Sequence, residues 1–178
     1  MAREYVVVDL ETTGLDINND EIIEIAAVKI CRGLIIDRFS SLVACDQPLK
    51  PEIVALTGID DTMLAGQPRL TEILPAFSDF VGGAELAAHN AEFDAAFLHR
   101  YWPDARKWLD TIVLAQIAYP TEVSYALTNL CAALNISHQQ AHRALGDALS
   151  TAELFIVLEK RLDQLPWQSG QVSGAENH

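Results

Sequence analysis

The chain has 178 residues, of which 50% are hydrophobic and 21% are charged. This length and composition are typical of one folded globular domain and exclude a disordered, collagen-like or multi-domain chain. The net charge is −13, from 25 acidic and 12 basic residues, which argues against binding a long nucleic-acid backbone through Lys and Arg. An acidic chain can still hold a phosphodiester if divalent metal ions carry the contact.

Three runs rich in β-branched residues predict strands near the N-terminus. The runs cover residues 4–10, 22–30 and 34–43, and the short connection at 31–33 predicts that the last two form an antiparallel hairpin. Two helices follow, at 51–56 and at 70–81. The second is predicted from apolar residues on one helical face, namely Leu70, Ile73, Leu74, Phe77 and Val81.

Strands and helices alternate in the rest of the chain. We predict strands at 85–89 and 108–110, and helices at about 92–101 after a cap at Asn90, 111–118, 125–134 and about 144–162. This order predicts an α/β fold with a mixed sheet covered by helices, in which ligands bind at the C-terminal ends of parallel strands. We expect one domain over residues 1–162 and a flexible tail or the start of a linker over 163–178.

Cysteine spacing and hydropathy indicate in which cellular compartment the protein is expected. Cys31, Cys45 and Cys131 lack the spacing of a disulfide framework or a zinc site. The N-terminal segment is too short and too charged for a signal peptide, and polar residues interrupt every apolar stretch long enough to cross a bilayer. We therefore expect a cytoplasmic protein that does not contact membranes.

Four carboxylates lie at positions that point toward the interior. Asp9 and Glu11 are two residues apart at the end of the most hydrophobic strand, so both side chains share one face. Asp94 and Asp147 each begin an apolar helical stripe. Solvated strand ends and helix caps are the alternative interpretation. Because four uncompensated buried carboxylates are costly, the set predicts a metal site, and oxygen-only ligands favour Mg²⁺ or Mn²⁺.

The predicted chemistry is phosphoryl displacement. Two such ions about 4 Å apart clamp the attacking and leaving oxygens of this reaction in nucleases and polymerases. His142 lies five residues before Asp147, which places it in the loop before the last helix. An imidazole there can take a proton from the attacking water, and an ordinary surface histidine is the alternative.

Three ordered motifs resemble those of the DEDDh family of 3′→5′ exonucleases. They are Asp9-Leu10-Glu11-Thr12-Thr13-Gly14, His89-Asn90-Ala91-Glu92-Phe93-Asp94 and His142-Arg143-Ala144-Leu145-Gly146-Asp147, with Leu56-Thr57-Gly58-Ile59 between the first two. The resemblance spans about residues 5 to 160. It is greatest to the epsilon-type proofreading exonuclease domains of bacterial DNA polymerase III and to exonuclease domains joined to helicases.

The resemblance implies a ribonuclease H-like fold with a mixed five-stranded sheet, and release of nucleoside 5′-monophosphates from a 3′ end. It implies that Asp9, Glu11, Asp94 and Asp147 hold two divalent ions and that His142 is the general base. It also implies that six residues lie near the terminal nucleotide: Thr12, Thr13, Glu52, Thr57, His89 and Asn90. Of these, Thr12 and Glu52 are expected to reach the sugar. For Thr13, turn formation is an equally good interpretation.

The leading hypothesis is a metal-dependent exonuclease acting on single-stranded or frayed DNA in replication, repair or proofreading. The alternatives are an RNA-trimming enzyme of the ribonuclease T type, a non-catalytic nucleic-acid-binding module, and an α/β domain whose acids are merely surface residues. Few basic residues lie near the motifs, so we expect weak binding by this chain alone. A polymerase or helicase subunit or domain is therefore the expected partner.

Overall fold

The computed structural model describes residues 3–103, 106–138 and 141–165. The sheet contains β1 (Glu4–Thr12), β2 (Ile22–Cys31), β3 (Leu34–Leu42), β4 (Glu85–Ala88) and β5 (Trp108–Asp110). Their order is β3-β2-β1-β4-β5. The first three strands pair antiparallel, whereas β4 runs parallel to both β1 and β5. The predicted mixed five-stranded sheet is confirmed.

Helices connect the strands and cover the sheet. They are α1 (Pro51–Thr57), α2 (Asp61–Leu64), α3 (Leu70–Val81), α4 (Ala91–His99), α5 (Thr111–Ala118), α6 (Leu127–Ala133) and α7 (Ala144–Asp163). The bounds of α3 and α5 agree with the sequence prediction. Helix α2 was not predicted because four residues cannot show a helical period. Its N-cap is Asp60, whose carboxylate accepts a hydrogen bond from the Met63 N–H.

Alternation along β1 divides the core between the two faces of the sheet. Val6 and Val8 pack in the cluster that contains α3 and α4 residues, including Phe77. Tyr5 and Val7 pack in the cluster that contains the α7 residue Ala148. Since side chains on a strand alternate with period two, the odd-numbered residues of β1 face α7, and this face includes Asp9 and Glu11.

The C-terminal part of the chain bears on the predicted domain boundary. Helix α7 ends at Asp163, and residues 166–178, most of the predicted tail, lie outside the described residues. The division at residue 162 therefore stays a prediction. In the part of the chain that the structure describes, every helix is too short or too polar to span a bilayer.

Candidate active site

Three of the predicted metal-binding acids come together at the C-terminal end of β1. Asp9 and Glu11 project from the strand face that packs on α7, and Asp147 lies in the first turn of α7. One carboxylate oxygen from each of these residues lies within 4.8 Å of the others. All the donors are oxygen atoms, which are the ligands of hard divalent cations.

Asp94 approaches the same region from the first turn of α4 but is not a member of this 4.8 Å group. Its side chain is buried, with the residue 4% exposed. Backbone hydrogen bonds from Leu10 and from Asp94 itself act to lower its pKa, but burial outweighs them and raises it. Its negative charge in turn raises the pKa of Asp9. Asp94 is therefore an electrostatic neighbour of the cluster.

Removal from water is the main cause of the raised pKa values of all four acids. For Asp9, the nearby charges of Asp94, Asp147 and Glu11 add to that effect. The pKa of Glu11 rises to about 7 through desolvation and then through the charge of Asp147. Carboxylates that repel each other in this way gain stability when a cation lies between them.

The two carboxylate oxygens of Asp147 differ in their contacts. Oδ2 accepts a hydrogen bond of 2.9 Å from the backbone N–H of His142. Oδ1 is buried and accepts no hydrogen bond from the described residues, although Nε2 of His138 lies 3.5 Å away. A buried acceptor without a hydrogen bond is costly. Together with the all-oxygen donor set, this unsatisfied atom fits a divalent metal ion at the cluster.

The two histidines before α7 lie in different environments. His142 is exposed and has a left-handed backbone with φ of 63°. The side chain of His138 is only 10% exposed, and its Nδ1 lies 2.9 Å from the hydroxyl of Ser150. The sequence motif singled out His142, whereas His138 was missed because no local pattern relates it to Asp147.

Two of the predicted substrate-binding residues follow the β1 acids. The hydroxyl of Thr12 donates to the carbonyl of Gly14 at 2.6 Å. The hydroxyl of Thr13 donates to Asp20 at 3.0 Å and accepts from the backbone N–H of Glu21 at 3.0 Å. Both side chains are buried. These bonds shape the loop after β1, so the turn-forming interpretation of Thr13 has a structural basis.

Helix α1 carries two further predicted substrate contacts. Glu52 is exposed in its first turn. The buried hydroxyl of Thr57 donates to the Ile53 carbonyl at 2.9 Å and accepts from the Ile59 N–H at 3.1 Å. Thr57 thus closes the end of α1, next to Gly58, which has φ of 68°.

His89 and Asn90 occupy the turn between β4 and α4. Nδ1 of His89 lies 2.8 Å from the hydroxyl of Thr111, and within the described ranges its buried Nε2 has no hydrogen bond of ordinary geometry. Burial lowers the pKa of His89, whereas the charge of Asp110 and the backbone of Tyr125 act to raise it. Asn90 is exposed with φ of 69°, and its side chain makes no capping bond. Asn90 occupies the N-cap position of α4 as predicted, but its side chain does not cap the helix. The carboxylate of Asp110 instead accepts from the N–H groups of Asn90 and Ala91 at 3.2 and 3.1 Å.

The sequence motifs do not identify Glu24, although it is a single acid within the apolar strand β2. The residue is 2% exposed, and it lies opposite Glu11 in the pairing of β1 with β2. Its carboxylate binds Arg143 and the first N–H of α7. An isolated acid in a run of buried residues was the signal that could have identified it.

Comparison with known proteins agrees with this geometry. Residues 6–155 match the family described as exonuclease. The chain is 42% identical over 166 residues to the PolC-type DNA polymerase III of Clostridium perfringens, covering 90% of this chain and 12% of that protein. It is 37% identical over 164 residues to the DNA polymerase III epsilon subunit of Aquifex aeolicus, covering 89% and 81%. It is 35% identical over 168 residues to the 3′-5′ exonuclease DinG of Staphylococcus aureus, covering 91% and 19%.

A solved structure is similar over nearly the full length of both chains. Exonuclease X in complex with 5′ overhanging duplex DNA is 30% identical, with a TM-score of 0.75, and the match covers 90% of this chain and 94% of that one. The chain belongs to the exonuclease family. This confirms the predicted class, the DEDDh-type 3′→5′ exonucleases with their ribonuclease H-like fold. The chain spans about an eighth of the length of the PolC-type relative.

Proposed function

We propose that this chain is a divalent-metal-dependent 3′→5′ exonuclease that removes nucleotides one at a time from single-stranded or frayed DNA ends. The observation that carries the proposal is the cluster of Asp9, Glu11 and Asp147, with one oxygen of each within 4.8 Å of the others. The name of the DinG relative supports the polarity. The DNA complex of exonuclease X supports the polymer.

In this proposal the site holds two divalent metal ions, Mg²⁺ or Mn²⁺, bound by Asp9, Glu11, Asp94 and Asp147. Bound ions of this kind supply a Lewis acid for the phosphodiester oxygens and lower the pKa of the attacking water. The protein contributes the carboxylates already gathered in one place, including Oδ1 of Asp147, which accepts no hydrogen bond from the described residues. Asp94 completes the charge of the site from α4.

His142 is our candidate for the general base. It is exposed in the loop before α7, where water reaches its ring. Its backbone N–H is bonded to the Asp147 carboxylate, so the loop stays beside the acids. An imidazole exchanges protons readily near neutral pH, and it takes the proton of the attacking water in this scheme.

We propose that the other motif residues act on the terminal nucleotide in two ways. Thr13 and Thr57 use their hydroxyl groups within the protein, so they act by shaping the loops around the site. Glu52, His89 and Asn90 would contact the nucleotide, as would Thr12, whose hydroxyl donates to the Gly14 carbonyl and keeps its oxygen as an acceptor. The buried Nε2 of His89 has no hydrogen bond of ordinary geometry to any described residue, so a substrate atom can satisfy it.

The proposed function also indicates a partner protein and a cellular compartment. A chain with net charge −13 makes few phosphate contacts, and the PolC-type relative is a polymerase in which the matching region is a small part. We therefore propose that a polymerase or a helicase, as a subunit or a tethered domain, keeps this domain near the 3′ end of the DNA substrate. The three free cysteines suit a reducing cytoplasm.

Digestion of a 5′-labelled single-stranded DNA oligonucleotide, beside its RNA counterpart, tests the proposal. With Mg²⁺ or Mn²⁺ we expect a ladder that shortens from the 3′ end, with DNA degraded faster than RNA. EDTA and the variant Asp9→Asn should both stop degradation. Faster digestion of RNA would instead support the RNA-trimming alternative. Absence of cleavage of both polymers with either metal would overturn the enzyme proposal.

A further inference from the structure

Glu24 is a buried acid that lies beside the metal-binding cluster without belonging to it. Its side chain is 3% exposed, yet its carboxylate accepts three hydrogen bonds. Nη2 of Arg143 donates to Oε1 at 2.7 Å, Nε of Arg143 donates to Oε2 at 3.1 Å, and the backbone N–H of Ala144 donates to Oε2 at 2.9 Å. All three donors come from the beginning of α7.

Helix α7 begins without a side-chain cap of its own. Its N-cap residue is Arg143, whose side chain makes no capping bond. The first N–H groups of a helix need an acceptor, and a negative charge there also interacts favourably with the helix dipole. Glu24 supplies both from β2, although it lies 120 residues before Ala144 in the chain. The contact therefore fixes the start of α7 to the sheet.

This connection joins the two sides of the candidate active site. Glu24 pairs with Glu11 across β1 and β2, so one end of the contact is next to the strand acids. Asp147 lies in the first turn of α7, and its N–H donates to the Arg143 carbonyl at 3.0 Å. His142 directly precedes Arg143. The contact therefore connects the strand that carries the β1 acids to the beginning of α7, where Asp147 and His142 lie.

We propose that Glu24 and Arg143 are positioning residues that set the spacing between the β1 acids and Asp147. This inference rests on the proposed exonuclease function. Neither residue touches the reacting atoms in this scheme. Residues that orient metal ligands in this way commonly change metal affinity or activity about 10–100-fold when they are substituted.

The charges at this contact support the same assignment. Arg143 and Glu24 carry opposite charges and form an ion pair of 2.7 Å. The pair therefore adds little net charge beside a cluster that is already strongly acidic. Removing one partner changes both the position of α7 and the charge balance at Glu11.

Two substitutions test this inference. Glu24→Gln keeps the size of the side chain but removes the charge and the two-pronged acceptor for Arg143. Arg143→Lys keeps the charge but loses the planar fork that binds both carboxylate oxygens. For each we expect kcat on single-stranded DNA to fall about 10–100-fold and the half-saturating Mn²⁺ concentration to rise by a similar factor. KM for DNA should change by less than about threefold, because ground-state binding is kept.

A core variant of the same strand serves as the matched control. Ile23 is fully buried next to Glu24 in the sequence but packs in a different cluster, with Leu49, Ile59 and Leu64. Ile23→Val should lower the melting temperature while leaving kcat and the Mn²⁺ midpoint within about twofold of the parent, because it removes only buried apolar volume. Melting temperatures of all variants, measured without metal, separate loss of stability from loss of positioning.

The double variant Glu24→Gln/Arg143→Lys tests whether the two residues act as one unit. We expect its kcat to be no lower than that of the less active single variant, since the effects of substituting two residues in one contact do not add. Multiplied losses in the double variant would overturn the inference. An unchanged Mn²⁺ midpoint in both single variants, or a loss of kcat in Ile23→Val as large as theirs, would also overturn it.

The Mn²⁺ titration also separates this inference from the proposed function. Mn²⁺ binding is measured by the thermal stabilisation of the native protein, so the titration needs no turnover. A parent protein that binds Mn²⁺ but cleaves neither DNA nor RNA overturns the proposed function. The midpoints of Glu24→Gln and Arg143→Lys then still decide whether the pair positions the metal-binding acids.

Discussion

Nε2 of His138 lies 3.5 Å from Oδ1 of Asp147, whereas the backbone N–H of His142 donates to Oδ2 of the same carboxylate. The His138 ring is nearly buried and is held at its other nitrogen by Ser150. The His142 ring belongs to an exposed residue. The two histidines are therefore suited to different tasks, His138 beside a proposed metal ligand and His142 at the solvent boundary.

The first prediction assigns the base by comparing His142→Ala with His138→Ala. His142→Ala should lower kcat about 10²–10⁴-fold, the usual contribution of general-base catalysis. His138→Ala should lower kcat less than about tenfold, since a ring held by Ser150 is not free to accept the proton of water. Single-turnover rates on DNA with Mn²⁺ measure both, and the reverse order of effects would identify His138 as the base.

The second prediction concerns Asp9→Asn and the metal. We expect this variant to lose DNA cleavage, and to melt at a higher temperature than the parent in EDTA at neutral pH, because the repulsion with Asp94 and Asp147 is relieved. The parent should gain about 2.7 kcal/mol of apparent stability at a metal concentration 100 times its Kd. Scanning fluorimetry with and without Mn²⁺ measures both effects.

The matched variant for this comparison is Asp46→Asn, at an exposed ion pair with Arg69. It should respond to Mn²⁺ as the parent does. If Asp9→Asn showed the full parental gain with Mn²⁺, Asp9 would be excluded as a ligand.

The third prediction concerns the pH dependence of the metal-free protein. The pKa of Glu11 is about 7 in the folded protein, against an ordinary value of 4.5. Between these values the folded state binds more protons than the unfolded state, so the contribution of Glu11 to stability falls as pH rises from about 4.5 to 7. Glu11→Gln should therefore gain stability relative to the parent across this window, as measured by urea unfolding in EDTA.

Asp46→Asn provides the control for the titration as well. Arg69 lowers the pKa of Asp46, so this group titrates below the window and its stability difference from the parent should stay constant there. A constant difference for Glu11→Gln over the same range would contradict the raised pKa of Glu11.

The fourth prediction concerns the loop after β1. A Cβ atom at Gly14 would overlap the carboxylate of Asp20, which accepts hydrogen bonds from Thr13 and from the Asp16 N–H. Gly14→Ala should lower the free energy of unfolding by about 1–3 kcal/mol, as overpacking usually does. It should also lower kcat, because the loop carries the residues that follow Glu11.

Gly83→Ala is the control for this substitution, since a Cβ there meets no atom within 4 Å. Urea unfolding should show a change of less than about 0.5 kcal/mol, as for most surface substitutions. Equal effects of the two substitutions would mean that the Asp20 contact does not limit the loop.

Local sequence patterns were sufficient for most of the elements. The apolar spacing over residues 70–81 predicted α3 with its observed bounds, because a helical period is a property of neighbouring residues. Period two along β1 placed Asp9 and Glu11 on one face for the same reason. The prediction for α6 was less accurate. It begins at Leu127, because the backbone of Ala126 is extended, with ψ of 141°.

Other features of the site depend on residues that are distant in the chain. Asp110 replaces Asn90 as the acceptor at the start of α4, and Asp94 lies beside the three-acid group without joining it. Glu24 was missed although its strand was predicted, because its partner Arg143 lies 119 residues away.

The sequence by itself determined the fold class and the exonuclease family and singled out the carboxylates that we propose carry the chemistry, since these depend on periodicity and on ordered motifs. Only the tertiary structure decided which carboxylates lie within reach of one cation, which histidine faces Asp147, and how Glu24 holds the start of α7. These relationships arise when β1, β2 and α7 pack together, and neither local propensity nor spacing along the chain encodes the distances between them.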